Sequence, residues 1–316
     1  MTNPDPEPDL HLEILHNCKV CPRNCGVDRF FSRDGWCGSD AGFNISSICI
    51  HHGEEPAISG KSGICNIFFS RCNLACIYCQ NHQISNRRGE VPEKQLSLRE
   101  VVDCVKGFLD KGCTAVGFVS PSHYLPHVKA IIDALRQDGR NPTFVYNTNS
   151  YDKAEEIRQL ESYIDVYLPD LKYLDNTLSR LYSGAFNYPE FAKTAIKEMY
   201  RQKGSTLHYN DDGQAVCGLI IRHLILPGNG EGSKAVLEWI AWELSPSVAI
   251  SLMSQYFPAG KALGNSVLNR KIDRGEYNTF VEEMEKLGFY KGWIQDLQSH
   301  GHYRPDFGSD MPFGVE

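Results

Sequence analysis

From residue 64 onward the chain alternates short apolar runs with stretches of helical periodicity. The apolar runs predict six strands, at 64–70, 114–119, 143–146, 164–168, 218–226 and 248–252. Between and after them, the spacing of apolar residues predicts helices near 97–111, 124–137, 152–160, 176–183, 189–203, 231–244 and 276–287. The first helix begins with a capping box, because Glu100 follows Ser97 three residues later.

Strands that alternate with helices form a parallel sheet with right-handed crossovers. An eight-stranded barrel of this kind takes about 250 residues, and residues 64–252 hold only six units. The sequence therefore predicts an α/β fold, a partial (β/α)6 barrel of the TIM type. An open doubly wound sheet is the alternative.

The chain before residue 61 follows a different pattern. Residues 1–10 are acidic, with proline at positions 4, 6 and 8, which opposes helix and predicts a disordered tail. Residues 11–60 carry five cysteines and little periodic apolar pattern, which indicates a small loop-rich metal-binding module. The barrel is then expected at 61–290, and a C-terminal extension at 291–316.

Composition narrows the function classes. The chain has 32 Lys and Arg against 39 Asp and Glu, a net charge of −7, which weighs against a protein held to nucleic acid by charge. The N-terminus lacks the basic and apolar segments of a signal peptide, and no apolar run approaches about 18 residues, so we expect a cytoplasmic protein without a membrane span. In a reducing compartment, 12 cysteines indicate metal or redox chemistry rather than disulfides.

The most specific feature is a cysteine triplet directly after the first predicted strand. Cys72, Cys76 and Cys79 have the spacing C-x3-C-x2-C. Iron–sulfur clusters are usually held by four cysteines, so three leave one iron open to another ligand, as a catalytic cluster requires. Cys65 lies about 20 Å away along the predicted strand and is expected to be a buried strand residue. A zinc site completed by His82 is the alternative.

This triplet, at the head of a βα repeat, resembles the signature of the radical S-adenosylmethionine (SAM) superfamily. Over roughly residues 15–300 the chain resembles, more particularly, the iron–sulfur proteins described as pyruvate formate-lyase activating enzyme-like. The motifs that carry this likeness are Cys21-Pro-Arg-Asn-Cys25-Gly, Gly53-Glu-Glu-Pro56, Ile58-Ser-Gly60, Phe68-Phe-Ser-Arg-Cys72-Asn-Leu, Cys79-Gln-Asn81, Tyr167-Leu-Pro-Asp-Leu-Lys-Tyr173 and Arg222-His-Leu-Ile-Leu-Pro-Gly228.

The resemblance implies a 4Fe–4S cluster held by the three cysteines, whose open iron chelates the amino and carboxylate groups of SAM. One electron from the reduced cluster would cleave SAM into methionine and a 5′-deoxyadenosyl radical, which abstracts hydrogen from a substrate. The implied substrate is a glycyl-radical enzyme or another macromolecule, and the implied electron donor is a flavodoxin- or ferredoxin-type protein. Tyr78 matches an aromatic residue placed against the adenine, with packing as its alternative role. No catalytic residue is assigned beyond the cluster.

Polar residues follow the predicted strands, where the active site of a barrel lies. Asp170-Leu-Lys172 matches a motif that lies beside SAM in glycyl-radical activating enzymes, and a salt bridge at the rim is the alternative. Many radical SAM enzymes hold the methionine amine with Gly-Gly-Glu, and this chain has Ser-Pro-Ser in its place. His223 or its neighbour Arg222 is expected to face the cofactor. The cofactor-binding candidates are Tyr78, Ser120, Ser122, His123, Asn147, Asp170, Lys172 and His223.

A second cysteine set lies in the N-terminal module. Four thiolates within 20 residues are enough for a closed zinc site or an auxiliary 4Fe–4S cluster, and reduced free thiols are the third alternative. The four are Cys18, Cys21, Cys25 and Cys37. Elsewhere, Cys104, Cys113 and Cys217 lie in predicted helix or strand and are expected to be buried core residues.

These features favour a radical SAM enzyme with a second metal site. One alternative is a non-catalytic iron–sulfur or zinc protein, which needs a fourth ligand near the triplet. Another is an RNA-modifying radical SAM enzyme, against which the net charge weighs.

Overall fold

The computed structural model describes residues 11–301, 304–309 and 311–314, so the predicted tail at 1–10 lies outside the described residues. None of the described helices is long and apolar enough to cross a membrane. The strands are β1 Phe43–His51, β2 Ile64–Phe69, β3 Lys94–Leu96, β4 Ala115–Val119, β5 Thr143–Thr148, β6 Val166–Pro169, β7 His208–Tyr209, β8 Ala215–Leu224, β9 Ala249–Met253 and β10 Gly292–Ile294. The helices are α1 Pro56–Ser59, α2 Leu98–Leu109, α3 Leu125–Gln137, α4 Ala154–Arg158, α5 Asn176–Ser183, α6 Tyr188–Lys203, α7 Gly230–Glu243 and α8 Arg274–Lys286.

Six strands form a parallel sheet in the order β2, β4, β5, β6, β8, β9, and β10 pairs parallel to β9 as a seventh. All six predicted strands are present, with ends within three residues of those expected. Five of these six strands are buried along nearly their whole length and β8 is buried in its middle, which is why they are recognisable as short apolar runs. The predicted α/β fold with a partial (β/α)6 barrel is confirmed.

β1 is the main element that the sequence did not predict. It runs antiparallel to β2 and to the short β3, so the range 11–60 contributes to the edge of the sheet as well as loops. A bulge between Ile45 and Ser47 shifts its register with β2. Because a bulge breaks the alternation of apolar and polar positions, the period-two signal is lost in the middle of this strand.

The segment after β1 enters the barrel and fills the end at which the parallel strands begin. Its short helix α1 places Ala57 and Ile58 in an apolar cluster with Ile64 of β2 and Ile220 of β8. Pro56 occupies the start of the helix, where its missing N–H has no cost. We call residues 52–60 the plug, and it carries two glutamates toward the interior of the barrel.

Helices cover the outer face of the sheet, and α2 shows how local sequence sets their orientation. Its capping box is present as predicted, with Ser97 and Glu100 exchanging hydrogen bonds. Its buried face carries Val101, Val102 and Val105. Cys104 falls outside that face and is exposed, so its predicted burial was wrong.

The other non-ligand cysteines differ among themselves. Cys65 and Cys113 are buried in the core, as expected, and the Cys65 amide donates to Cys113 Sγ at 3.1 Å. Cys217 is only half-buried, so the expectation of full burial was wrong for it as well.

The N-terminal loops dock on α3 and on the loop that precedes it. His127 of α3 donates through Nε2 to the Ala41 carbonyl at 2.9 Å. Arg29 donates through Nη1 to the His123 carbonyl at 2.6 Å. The cysteines of the N-terminal set therefore lie beside the carboxyl end of β4.

Candidate functional site

The cysteine triplet lies on one loop after β2, and neighbouring backbone fixes the course of that loop. Arg71 adopts a left-handed conformation, with φ 66°, as the chain leaves the strand. The amides of Ala75 and Ile77 donate to the carbonyls of Ser183 and Tyr182, at 2.9 and 2.8 Å. The loop is therefore held against the end of α5, with its three thiols half-buried.

The surroundings of the triplet suit thiolates. Cys72 Sγ accepts from the Asn149 side-chain amide and from a backbone amide, both at 3.4 Å. Burial raises the pKa of Cys72 to about 12 and that of Cys79 to about 11, with Cys76 raising both further and Lys172 lowering them. As free thiols these groups are protonated at neutral pH, and bound to a cationic cluster they would be thiolates.

The arrangement of the triplet fits a cluster with one open iron. Thiolates on a single zinc ion lie about 3.8 Å apart, from a bond length of about 2.3 Å in a tetrahedron, whereas ligands of a 4Fe–4S cube sit on different irons. Among residues 11–301, 304–309 and 311–314, no group of three or more His, Cys, Asp or Glu side chains is arranged around a single ion, and this holds for the triplet and for the N-terminal cysteines alike. Three half-buried thiols on one loop, with donors and a cation beside them, match the donor set that a cluster needs.

Tyr78, between the second and third cysteines, is packed among aromatic side chains. The rings of Tyr173 and Tyr256 meet it edge-on, with centroids at 6.5 and 6.3 Å. Its hydroxyl shares a short hydrogen bond with that of Tyr173. These contacts correspond to the alternative packing role, and the adenine contact stays a prediction.

An ion network runs from the region of the triplet into the barrel. Lys172 Nζ lies 2.7 Å from Asp170 Oδ2, and Arg222 Nε donates to Asp170 Oδ1 at 2.9 Å. Burial would raise the pKa of Asp170, but these two cations hold it below its usual value. Lys172 also lowers the pKa of Cys76, against the larger effect of burial. The predicted pair Asp170 and Lys172 thus forms a salt bridge, and its contact to SAM stays a prediction.

The same network ends on Glu54 of the plug. Arg222 Nη1 donates to Glu54 Oε2 at 2.9 Å, and the side-chain amides of Asn66 and Asn147 donate to Oε1 at 3.0 and 3.1 Å. Gly117 on β4 makes room for this arrangement, because a Cβ there would overlap Asn66 Oδ1. Asn147 therefore points into the barrel, where it holds a carboxylate.

Glu55 has a different environment from its neighbour. Its side chain is 5% exposed, and its Oε2 lies 4.0 Å from Arg222 Nη1. That oxygen has no hydrogen-bond partner among the described residues. Burial raises the pKa of Glu55, Arg222 lowers it and Glu54 raises it further. The plug thus holds one carboxylate in a complete set of hydrogen bonds and one with a free oxygen.

Glu54, Glu55, Asn147 and Arg222 line a cavity of about 280 Å³ near the carboxyl ends of the strands. Its volume is close to the lower end of the range for small-molecule sites, about 300 Å³. Gln80 and Asn81, which directly follow Cys79, line the side toward the triplet. The rest of its polar lining includes Glu54, Glu55, Asn147, Arg222 and Ser251, and its apolar lining includes Phe68, Trp293 and Phe313.

Of the eight predicted cofactor-binding candidates, Asn147 lines this cavity and seven do not. Tyr78, Asp170 and Lys172 are described above, and the other four are Ser120, Ser122, His123 and His223. Ser122 is fully buried, with Oγ 3.2 Å from Thr148 Oγ1, and Ser120 is half-buried with φ 50°. His123 Nε2 lies 3.1 Å from the Ser70 carbonyl, and burial lowers the pKa of His123 to about 3. His223 Nδ1 lies 2.7 Å from a backbone carbonyl, and burial lowers its pKa to about 4. Their cofactor-binding roles stay predictions.

The N-terminal cysteines come together around a second, smaller cavity. Trp36, Arg29 and His123 complete its wall. The Trp36 amide donates to Cys25 Sγ at 3.2 Å. Burial raises the pKa of Cys21, its hydrogen bond with the Arg23 backbone opposes this, and the thiols of Cys37, Cys18 and Cys25 raise it further. The four cysteines that line this cavity are Cys18, Cys21, Cys25 and Cys37.

Arg29 places a buried positive charge at this four-cysteine site. The side chain is 1% exposed. Its guanidinium donates to the Asp40 carbonyl from Nε at 3.0 Å and from Nη2 at 2.6 Å, and Nη1 lies 4.0 Å from Cys18 Sγ. Burial opposes this charge, but Cys37, Tyr124 and Cys18 together raise the pKa of Arg29 above its usual value. A buried cation without a carboxylate partner among the described contacts favours thiolates as its counter-charge.

Trp36 links the two cysteine sets. The guanidinium groups of Arg23 and Arg87 stack on its ring, 3.6 and 3.8 Å from the centroid. Arg23 Nε donates at 2.9 Å to the carbonyl of Asn73, the residue after Cys72. Cysteines of both sets raise the pKa of these arginines, against the larger effect of burial. The four-cysteine site and the triplet are therefore neighbours across a layer of arginine and tryptophan.

Several residues of the site were not among the predicted candidates. Glu54 and Glu55 carried a signal, since Gly53-Glu-Glu-Pro56 is one of the motifs that carry the resemblance, but nothing indicated that this segment enters a barrel. Asn149, which donates to Cys72 Sγ, follows the third predicted strand, where polar residues of the active site were expected, although it was not among the candidates. The buried Arg29 carried no signal.

Comparison with known proteins gives one family match and several similar chains. Residues 66–209 match the family model of the radical SAM superfamily. An uncharacterized protein of Methanocaldococcus jannaschii is 28% identical over 287 residues, which cover 88% of this chain and 78% of that protein.

Among solved structures, SuiB of Streptococcus suis, bound to the precursor peptide SuiA, is 14% identical with a TM-score of 0.47, over 73% of this chain and 48% of its own. A domain of a pyruvate-formate lyase-activating enzyme from Bacteroides vulgatus is 17% identical with a TM-score of 0.39, over 54% of this chain and 93% of its own. The FeFe-hydrogenase maturase HydG of Carboxydothermus hydrogenoformans is 15% identical with a TM-score of 0.47, over 74% and 54%. The chain thus spans about half the length of SuiB and of HydG.

Proposed function

This chain belongs to the radical SAM superfamily through residues 66–209, and on that premise we propose that it cleaves SAM reductively at a 4Fe–4S cluster held by Cys72, Cys76 and Cys79. The observation that carries the proposal is the loop itself, which gathers three half-buried thiols beside the cation Lys172. When bound, the reduced cluster supplies the electron that cleaves SAM and generates the hydrogen-abstracting 5′-deoxyadenosyl radical. A flavodoxin- or ferredoxin-type protein is the proposed source of that electron.

The chain's own residues orient the thiolates and line the cavity in which the reaction would take place. The Asn149 amide donates to Cys72 Sγ and Ser183 lies at Cys76 Sγ, so both sulfurs are oriented by neighbouring side chains. Asp170 keeps Lys172 beside the triplet. The cavity excludes bulk water from its floor, which protects a reactive species from quenching. We place SAM between the triplet and this cavity, on the side lined by Gln80 and Asn81.

The test is anaerobic reconstitution of the full chain with iron and sulfide, followed by dithionite and SAM. We expect 5′-deoxyadenosine and methionine, measured by mass spectrometry, together with the absorption of a 4Fe–4S cluster. Cys76→Ala should lose both the cluster absorption and the product. Cys104→Ala is the matched control, because Cys104 is exposed on α2, and it should retain both. An intact cluster without any product would instead favour the non-catalytic alternative.

We further propose that Cys18, Cys21, Cys25 and Cys37 hold a metal centre, either zinc or an auxiliary 4Fe–4S cluster. The supporting observation is the buried guanidinium of Arg29, which needs an anionic partner, and a tetrathiolate centre supplies one. Metal analysis of the reconstituted chain distinguishes the alternatives. If the site holds zinc, we expect about four irons and one zinc per chain, and if it holds a second cluster we expect about eight irons. Cys21→Ala should remove the zinc or the extra irons and leave the triplet's cluster in place.

The substrate proposed from the sequence motifs is a glycyl-radical enzyme or another macromolecule. Support for an activase comes only from the resemblance of the sequence motifs, including Asp170-Leu-Lys172. Coexpression with a candidate partner and detection of a glycyl radical by electron paramagnetic resonance would test it.

A further inference from the structure

Around Arg222, which lines the cavity, there is one more carboxyl group than there are cations. Three carboxylates surround the guanidinium of Arg222, with Asp170 and Glu54 both at 2.9 Å and Glu55 at 4.0 Å. Lys172 adds a second positive charge, and it pairs with Asp170 at 2.7 Å. All of these side chains are 17% exposed or less. Two cations therefore face three carboxylates in a region largely closed to water.

Glu55 is the carboxyl group among these three that lacks a close partner. Glu54 is fully engaged, by Arg222, Asn66 and Asn147. Glu55 Oε2, by contrast, is buried and has no hydrogen-bond partner among the described residues. Leaving a buried carboxyl oxygen without a hydrogen-bond partner destabilises the site. Glu55 lines the cavity, so a bound ligand can supply the missing donor.

We infer that Glu55 receives the ammonium group of a ligand, and that this ligand is the substrate, a primary amine carried on an apolar body. An ammonium supplies both the positive charge and the N–H donors that the floor lacks. Phe68, Trp293 and Phe313 line the same cavity and suit an aromatic or aliphatic body beside the charged end.

The assignment to the substrate rests on the proposed function. In that proposal the amino group of SAM is bound to the open iron, so an ammonium at Glu55 belongs to a second molecule. Two sources share this chemistry, a free amine and the side chain of a lysine in a peptide. SAM itself is the third source, if its amino group does not bind iron.

Direct binding tests the inference without any catalytic turnover. Isothermal titration of the reconstituted full chain, in the presence and absence of saturating SAM, is carried out with 2-phenylethylamine, 2-phenylethanol and phenylacetate. Nα-acetyl-lysine methylamide represents a lysine side chain. The variant is Glu55→Gln, and Glu285→Gln is the control, because Glu285 is an exposed residue of α8 that loses the same charge.

We expect the wild type to bind an amine, either 2-phenylethylamine or the lysine analogue, at least about tenfold more tightly than the alcohol, and to bind phenylacetate weakest. Glu55→Gln should remove that preference while the control keeps it. A tenfold change corresponds to about 1.4 kcal/mol. Which of the two amines binds more tightly identifies the source.

Three results would overturn the inference. One is equal binding of amine and alcohol by the wild type, which is informative even if the variant does not fold. Another is an unchanged amine preference in Glu55→Gln. The third is exclusion of the amine by SAM with loss of SAM affinity in the variant, which would assign the ammonium to SAM. None of these depends on product formation, so a failure of SAM cleavage is distinguishable from a failure of the amine site.

Discussion

Replacing Arg29 with methionine removes a positive charge from the wall of the four-cysteine site and keeps a side chain of similar length. If the four cysteines hold a metal centre, the guanidinium and the thiolates stabilise each other across the 4.0 Å between Nη1 and Cys18 Sγ. Without metal, the thiols are neutral and the guanidinium keeps its carbonyl partners, Asp40 and His123, and its contact with the Tyr124 ring. Arg29→Met should therefore weaken metal binding more than it weakens the fold of the metal-free chain.

The magnitude follows from the separation of the charges. Unit charges 4 Å apart interact by about 4 kcal/mol at an effective dielectric constant of about 20. The negative charge is shared among four sulfurs, so a net loss of about 3 kcal/mol is reasonable, which corresponds to roughly a hundredfold in metal affinity. Arg33→Met is the control, since Arg33 in the same module is 39% exposed and forms ion pairs at the surface with Asp40 and Glu93. Such pairs contribute about 1 kcal/mol or less.

The assay is competition with a chelator for the metal of the N-terminal site, read by metal analysis after desalting. We expect Arg29→Met to lose its metal at a chelator concentration roughly a hundredfold lower than the wild type, and Arg33→Met to match the wild type within a few-fold. Equal retention by Arg29→Met and the wild type would show that the buried guanidinium does not balance a tetrathiolate charge.

Three further perturbations test other parts of the structure. Gly117→Ala should lower the free energy of urea unfolding by about 1–3 kcal/mol, because the added Cβ overlaps Asn66 Oδ1. Combining it with Asn66→Ala should recover part of that loss. If the two substitutions have strictly additive effects on the free energy of unfolding, the overlap is contradicted. Lys172→Met should lower the free energy of unfolding by about 2 kcal/mol, because the hydrogen bond to Asp170 is lost. It should also reduce the amount of cluster bound, measured as iron per chain. A variant that binds as much iron as the wild type would show that Lys172 does not stabilise the cluster. His127 has its pKa lowered by burial to about 3, so the folded state binds its proton less readily than the unfolded state and stability falls as pH drops below about 6.5. Between pH 7 and pH 5 this histidine should account for about 2 kcal/mol, and His127→Gln should show a correspondingly smaller loss in urea unfolding at the two pH values.

The barrel was predictable because its signals are local. Strands buried on both faces appear as short apolar runs, and the charged or glycine-containing segments between them mark the connections. β1 was not predicted because of its bulge between Ile45 and Ser47. β3, β7 and β10 are too short to show the alternation of apolar and polar residues that marks a strand.

The triplet was predictable for the same reason, since one loop carries all three cysteines. The residues at the floor of the cavity were not predictable in this way, because the contact between Glu54 and Arg222 joins positions 168 residues apart. The sequence of one strand also shows that consecutive residues face opposite sides of the sheet, but it does not show which side is the interior of the barrel. Arg222 faces the cavity and His223 faces a backbone carbonyl in the core, a choice that depends on the register of β8 against β6 and β9.

The plug has a consequence for how the chain holds together. The polypeptide passes from β1, near the edge of the sheet, directly into the middle of the barrel at Glu54, so residues 11–60 and the barrel share one interior. Cutting the chain after the plug would remove an edge strand, the apolar filling around Ile58 and the carboxylate that Arg222 binds. The cysteine-rich segment and the barrel are therefore expected to fold and unfold as one cooperative unit, although their sequences resemble two separate pieces.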